Sequence, residues 1–364
     1  MLDMRMPVLT RSSTIFARAP LVHVAAAILG LIALSLEANA EAAAPTPDKV
    51  NSAELTSQRE KKDNLSRAFI VRAQILLDQA GFSPGEIDGK SGENLKKAVR
   101  AYAEAQGLPA QDRITPEVWS RLASTATEPA LITYQIAADD LKGPFLPKLP
   151  AKMEEMKDIP VLAYGSPLEA LAEKFHMSGE LLKALNPGKA FDREGETISV
   201  ANVAAGPPQK DASRVEIDQR AQTVRVFDRN NKLVAFYPAT VGSDEKPSPS
   251  GTVKVINVVE NPSYTYNPKY EFKGVRSEKP FEINPGPNGP IGSTWIGLSA
   301  KSYGIHGTAE PGKVSKSESH GCVRLTNWDA KDLANRLTKG IPVTFQAARA
   351  DAEDRQQRKR ARRG

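Results

Sequence analysis

The spacing of apolar residues changes period near residue 210, and that change limits what the chain can become. Before it, apolar residues recur at helical spacing; after it, they alternate along short runs. A chain of 364 residues written this way divides into several units, since one hydrophobic core rarely grows so large. The expected class is multidomain α+β: a small three-helix bundle, a unit with helices between two strands, and a mostly antiparallel β domain.

Both ends stand apart from this pattern. Arg5, Arg11 and Arg18 precede an apolar run over residues 20–36, followed by Ala38-Asn39-Ala40. A basic start, an apolar middle and a small-x-small exit predict an export signal over residues 1–40, cut after Ala40. An uncleaved anchor is the other reading, although the run is short for a span. Residues 41–63 are Ala/Pro-rich and then charged, which predicts a linker. At the far end, Arg355, Arg358, Lys359, Arg360, Arg362 and Arg363 carry much of the net +6, so residues 347–364 are expected to be a solvated basic tail. Nothing suggests base readout. The expected location is outside the cytoplasm, in the periplasm against the cell wall, with no membrane span once the signal is cut.

Residues 64–125 carry the helical unit. Phe69, Ala73, Leu76, Leu77 and Ala80 mark a first helix stopped by Gly81, and Ser83-Pro84-Gly85 and Asp88-Gly89 are turns. Leu95, Ala98, Val99, Tyr102 and Ala105 mark a second helix. Thr115-Pro116-Glu117 opens a third, with Thr115 as its cap and Val118, Trp119 and Leu122 on one face. Gly89-Lys90-Ser91 is no phosphate loop, because Pro84 stands where a glycine is required and no strand precedes it.

Residues 130–203 contain a strand around residues 132–136, a proline-rich stretch at 142–150, two helical runs, and a strand ending at Thr197-Ile198-Ser199-Val200. Its histidine, His176, is expected to sit at the surface or in packing. A linker is expected over residues 204–212. Residues 213–346 then read as short strands separated by turns, with one helix predicted over residues 327–338.

The chemistry concentrates in that last unit. Cys322 is the only cysteine, so an internal disulfide is excluded, and an unpaired thiol in an exported chain marks a reactive group. It lies in Ser319-His320-Gly321-Cys322-Val323-Arg324, sixteen residues after His306 in Tyr303-Gly304-Ile305-His306-Gly307-Thr308. A thiol near an imidazole can pass its proton to it and form a thiolate–imidazolium pair. His306 is the favoured base and His320 the other candidate. Gly307 offers a carbonyl that could fix the His306 tautomer. The Gly321 and Cys322 amides are candidates for an oxyanion hole. Arg324 suits a substrate carboxylate, and Tyr303 joins it as a candidate substrate-binding residue. A zinc site built from His306, His320, Cys322 and Glu318 or Glu310 lacks paired-ligand spacing. Neither a metal nor a cofactor is expected.

Three resemblances gather these readings. Residues 80–89 with Val99, Tyr102 and Gly107-Leu108-Pro109 resemble the peptidoglycan-binding helical domain, although Tyr102-Ala103 stands where that family has Phe-Gln. Residues 164–203 resemble a degenerate LysM module, with Gly165-Ser166-Pro167 in place of Gly-Asp-Thr. His306-Gly307-Thr308 with Ser319-His320-Gly321-Cys322-Val323-Arg324-Leu325 resembles the signature of YkuD-type L,D-transpeptidases. Gly289-Pro290-Ile291-Gly292 and Trp295-Ile296-Gly297-Leu298 extend that likeness.

The LysM resemblance implies a βααβ fold, and the last resemblance implies a catalytic domain of β-sandwich or barrel-like form, a cysteine acyltransferase of cell-wall biogenesis that acts on peptidoglycan stem peptides. Cys322 would be the nucleophile and His306 the proton acceptor, supported by His320, Gly321, Gly307 and Ser319. The acceptor would be a stem-peptide amine, giving a 3→3 cross-link, or a wall-anchored protein. Water as acceptor would make a carboxypeptidase, and a non-catalytic wall-binding protein is the remaining class. Two wall-binding modules would raise the local concentration of an insoluble substrate.

Overall fold

The computed structural model describes residues 45–56, 65–203, 210–242, 248–270, 275–317 and 321–346, all within one compact unit. The expected export signal and the expected basic tail lie outside these residues, as do Ser319 and His320. Among the described residues no helix is long and apolar enough to cross a membrane.

The first helix falls inside the expected linker. α1 (Pro47–Asn51) is capped by the Thr46 hydroxyl, buries Val50 completely and ties Asn51 to Leu131 through two hydrogen bonds. A single turn with a proline start and one apolar residue leaves no periodicity to read. The helical unit follows as α2 (Arg67–Gln79), α3 (Glu93–Ala105) and α4 (Pro116–Ala123). Thr115 caps α4 by accepting from the Val118 N–H, a contact worth about 1 kcal/mol.

α2 is apolar on more than one side, which is the mark of a buried helix. Phe69, Leu76 and Leu77 face α3 and α4, while Val71 and Ile75 turn the other way into a second cluster. That second cluster belongs to the middle unit. There β1 (Leu131–Gln135) pairs antiparallel with β2 (Thr197–Ala201), and between them come α5 (Met153–Met156), α6 (Pro167–Lys174) and α7 (Gly179–Leu185).

The β domain opens with β3 (Arg214–Asp218), β4 (Thr223–Phe227), β5 (Leu233–Pro238) and β6 (Thr240–Val241). It continues through β7 (Gly251–Glu260), the short pair β8 (Tyr264–Tyr266) and β9 (Phe281–Ile283), β10 (Thr294–Leu298), β11 (Gly304–His306) and β12 (Val323–Arg324). α8 (Asn327–Arg336) and β13 (Pro342–Gln346) complete it. Nine strands form one sheet in the order β5-β4-β3-β13-β7-β10-β11-β12-β6. Only β3–β13 and β11–β12 run parallel. The long β7 joins two halves, pairing with β13 through its start and with β10 through its end. The outermost strands, β5 and β6, are separated in sequence by Ala239 alone, so the sheet curls back on itself in a near-barrel. α8 stops two residues before the predicted end, because Leu337 leaves the helix for the core.

The strap between α2 and α3 joins all three units. Read from sequence as turns, it pairs on one side with β5, where Ser83 N–H donates to Phe236 O and Phe236 N–H to Gly81 O, both at 2.9 Å. On the other side Ile87 N–H donates to His176 O, and Ser178 N–H to Ile87 O, again at 2.9 Å. Phe227, Leu233 and Phe236 of the β domain accordingly share one apolar core with α2, α3 and α4.

Candidate active site

Register across β7, β10, β11, β12 and β6 builds the site. Val259, Trp295, His306, Arg324 and Thr240 stand opposite one another in successive strands and form one row across the sheet. Side chains two apart along a strand share a face. Cys322 immediately precedes β12, two residues before Arg324, so the β11–β12 register carries it to the end of the strand that lies beside His306. The alternate residues, Ile305 and Val323, are fully buried in the core on the opposite face. The β11–β12 pairing thus brings together Cys322, His306 and Arg324.

Each group is held by its surroundings. His306 is 4% exposed, and its Nδ1 lies 2.7 Å from the Gly307 carbonyl. A carbonyl only accepts, so the proton sits on Nδ1 and the Nε2 lone pair is left to receive another. Gly307 cannot carry a side chain here, because a Cβ would run into Asn327 Oδ1. Asn327 in turn accepts from Ser293 N–H at 3.0 Å and donates to both oxygens of Glu173, fixing the loop behind the histidine. The Trp295 ring lies nearly parallel to the imidazole, with centroids 5.9 Å apart at 20°. Gly304 makes this possible, since a Cβ there would strike the indole.

Cys322 is half-buried and outside any disulfide, with Sγ 3.8 Å from the Ser302 carbonyl. Gly321 before it adopts φ +103°, and its carbonyl accepts from the Ser248 hydroxyl at 2.6 Å. Positive φ of this size is cheap only for glycine.

Burial dominates the electrostatics. It pushes His306 down to about 4, with the Arg324 charge adding to the effect. It pushes the Cys322 thiol up, against a backbone hydrogen bond from Gly304 and the pull of Arg324. Burial therefore works against the expected thiolate–imidazolium pair, because a desolvated pocket disfavours both charges. The guanidinium of Arg324 supplies the positive charge instead. Its Nε is buried without a hydrogen-bond partner, leaving a donor for an incoming acceptor. Among the described residues no cluster of His, Cys, Asp or Glu could hold a metal.

The sequence pointed to Cys322, His306, Gly307, Gly321 and Arg324, and these lie at this site. Tyr303 lies just before β11. Sequence reasoning missed Trp295, Thr240 and Asn327 as parts of it. Trp295 stands within a quoted motif, but its place opposite His306 depends on sheet register, which a motif does not carry.

Comparisons with known proteins identify two of the units. Residues 212–344 match the model of the L,D-transpeptidase catalytic domain, and residues 66–122 match a peptidoglycan-binding domain. A Bacillus licheniformis protein named as the L,D-transpeptidase YkuD is 28% identical over 181 residues, covering 50% of this chain and 94% of that protein. Among solved structures, an L,D-transpeptidase from Mycobacterium smegmatis is similar over 42% of this chain and 64% of that one, at 17% identity and a TM-score of 0.31. A Fuscovulum blasticum protein named as an L,D-transpeptidase is 32% identical over 164 residues, 85% of its length and 42% of this chain. At that identity and coverage, with a catalytic domain matched over residues 212–344, the chain belongs to the L,D-transpeptidase family and is a transpeptidase associated with peptidoglycan.

Proposed function

We propose that the protein is exported and that Cys322 takes an acyl group from a peptidoglycan stem peptide and passes it to an amine. The observation that carries this reading is the pairing of His306 with Arg324 on adjacent parallel strands, with Cys322 immediately before the second strand and the Nε2 of His306 left to receive a proton. In the first step Sγ attacks the carbonyl at the L-centre of the penultimate residue, and an S–C bond forms. The thiol proton moves to His306 Nε2, which then gives it to the nitrogen of the departing D-alanine as the C–N bond breaks. In the second step an acceptor amine attacks the thioester, and sulfur leaves with a proton returned through the imidazole. One peptide bond replaces another, so no nucleotide is consumed.

Arg324 grips a stem-peptide carboxylate, and Tyr303 takes part in holding the substrate. The Gly321 and Cys322 amides stabilise the oxyanion, each donor being worth roughly 3 kcal/mol in such sites. His320 and Ser319 support the thiol. The helical unit, and the LysM-like unit in which β1 and β2 flank α6 and α7 with the short α5 inserted before them, bind glycan.

Incubation with purified tetrapeptide monomers tests the reading. Dimers with a 3→3 link are expected, together with an acyl-enzyme visible by mass spectrometry. Shortened tripeptides alone would mean that water is the acceptor. Cys322→Ala is expected to abolish the acyl-enzyme while leaving sacculus binding intact; turnover surviving in that variant would remove the thiol from the mechanism.

A further inference from the structure

We infer that Asn94 and Lys97, on the helical unit, are positioning residues for the active site, acting through the loop at residues 311–317. This rests on the reading of Cys322 as the nucleophile and extends it to a part of the chain otherwise treated as a wall anchor.

The loop separates β11 from β12, and its centre is pinned from two sides. From the helical unit, Asn94 Nδ2 donates to the Val314 carbonyl at 3.2 Å, and Lys97 Nζ donates to Ser315 Oγ at 2.6 Å. From the β domain, Thr240 Oγ1 accepts from Ser315 N–H at 2.9 Å. Val314 and Thr240 are both fully buried. Ser315 is left-handed, at φ +65°, a conformation unfavourable for a non-glycine residue and kept only where the surroundings impose it. Lys97 and Thr240 impose it here, one on the side chain and the other on the backbone.

Thr240 is the last member of the row Val259, Trp295, His306, Arg324, Thr240. It stands opposite Arg324 in the β6–β12 ladder, which is only two residue pairs long. A ladder that short depends on what covers it, and Ser315 covers it. Releasing Ser315 frees Thr240 Oγ1, loosens β12 and lets Arg324 and Cys322 drift from His306. Small misplacements of reacting groups cost rate more than affinity.

The experiment measures acylation of the full chain by a carbapenem, resolved into a maximal rate and a half-saturating concentration. Asn94→Ala/Lys97→Met is expected to lower the maximal rate about tenfold, with the half-saturating concentration and thermal midpoint little changed. Lys97→Arg alone, which keeps a donor, is expected to recover most of the loss. Glu104→Gln breaks the Arg225 ion pair on the same interface, away from the loop, and is expected to leave the rate unchanged. Equal rates for wild type and the double variant overturn the inference. An equal loss in Glu104→Gln also overturns it, since a loosened interface would then explain the effect. A wild-type protein that takes no acyl group from the carbapenem fails the reading of Cys322 instead.

Discussion

At the residue scale, burial sets the behaviour of the imidazole. His306 is held near 4 by burial, so it remains a base through the whole neutral range. The acid limb of acylation is therefore expected close to pH 4, well below the ordinary histidine value. A pH–rate profile with carbapenem checks this, and a limb near 6.5 would mean that the imidazole is solvated or paired. The same shift affects stability. The folded histidine resists protonation, so its contribution is complete above about pH 6.5 and is lost as pH falls toward 4, amounting to roughly 3 kcal/mol. The indole of Trp295 against the imidazole leads to another expectation: Trp295→Ala should lower the maximal acylation rate more than it raises the half-saturating concentration, because it frees the ring without touching the thiol. A change confined to that concentration would make Trp295 a substrate contact.

At the element scale, the seam between α6 and α8 holds buried acids. Glu173 is pushed up to about 7 by burial, although Asn327 and Tyr164 hydrogen-bond to it. Asp329 is likewise raised to about 7, beside Asp78 and His176. A raised carboxyl stabilises the fold fully below its ordinary value of about 4.5, and that contribution is lost as pH climbs through 7. Glu173→Gln should thus reduce the fall in thermal midpoint between pH 5 and 8, with Asp329 supplying the slope that remains. A slope identical to wild type would place Glu173 in solvent contact. Around this seam, the helices and strands were largely legible in the residues. Thr115 and Pro116 mark the start of α4, and alternating Thr223-Val224-Arg225-Val226-Phe227 marks β4. α1 was not legible, because one buried valine gives no period. Neither was the pairing of His176 with Asp78 at 2.9 Å and its stacking on Trp328 at 5.2 Å, since both join segments far apart in sequence. For the site, spacing picked out Cys322 and His306, but the row that sets His306 opposite Arg324 and Trp295 comes from strand register, which local patterns leave open.

At the scale of the whole molecule, the helical unit and the β domain share one core. Phe236 is 3% exposed only because α3 lies over β5. A fragment covering residues 210–346 alone would present Phe227, Leu233 and Phe236 to water. It is expected to melt well below residues 45–346, or to aggregate, and calorimetry of the two would decide. Equal midpoints would show that the shared core adds nothing. The sequence suggested separate modules joined by linkers, yet the strap at residues 81–87 hydrogen-bonds to units on both sides. A flexible tether lets a catalytic head sweep a volume around its anchor. Here the strap removes that slack. If the helices hold a wall strand as proposed, the thiol would meet its substrate at one fixed offset and angle, and lengthening the strap would change which acceptors come within reach before it changed how fast they react.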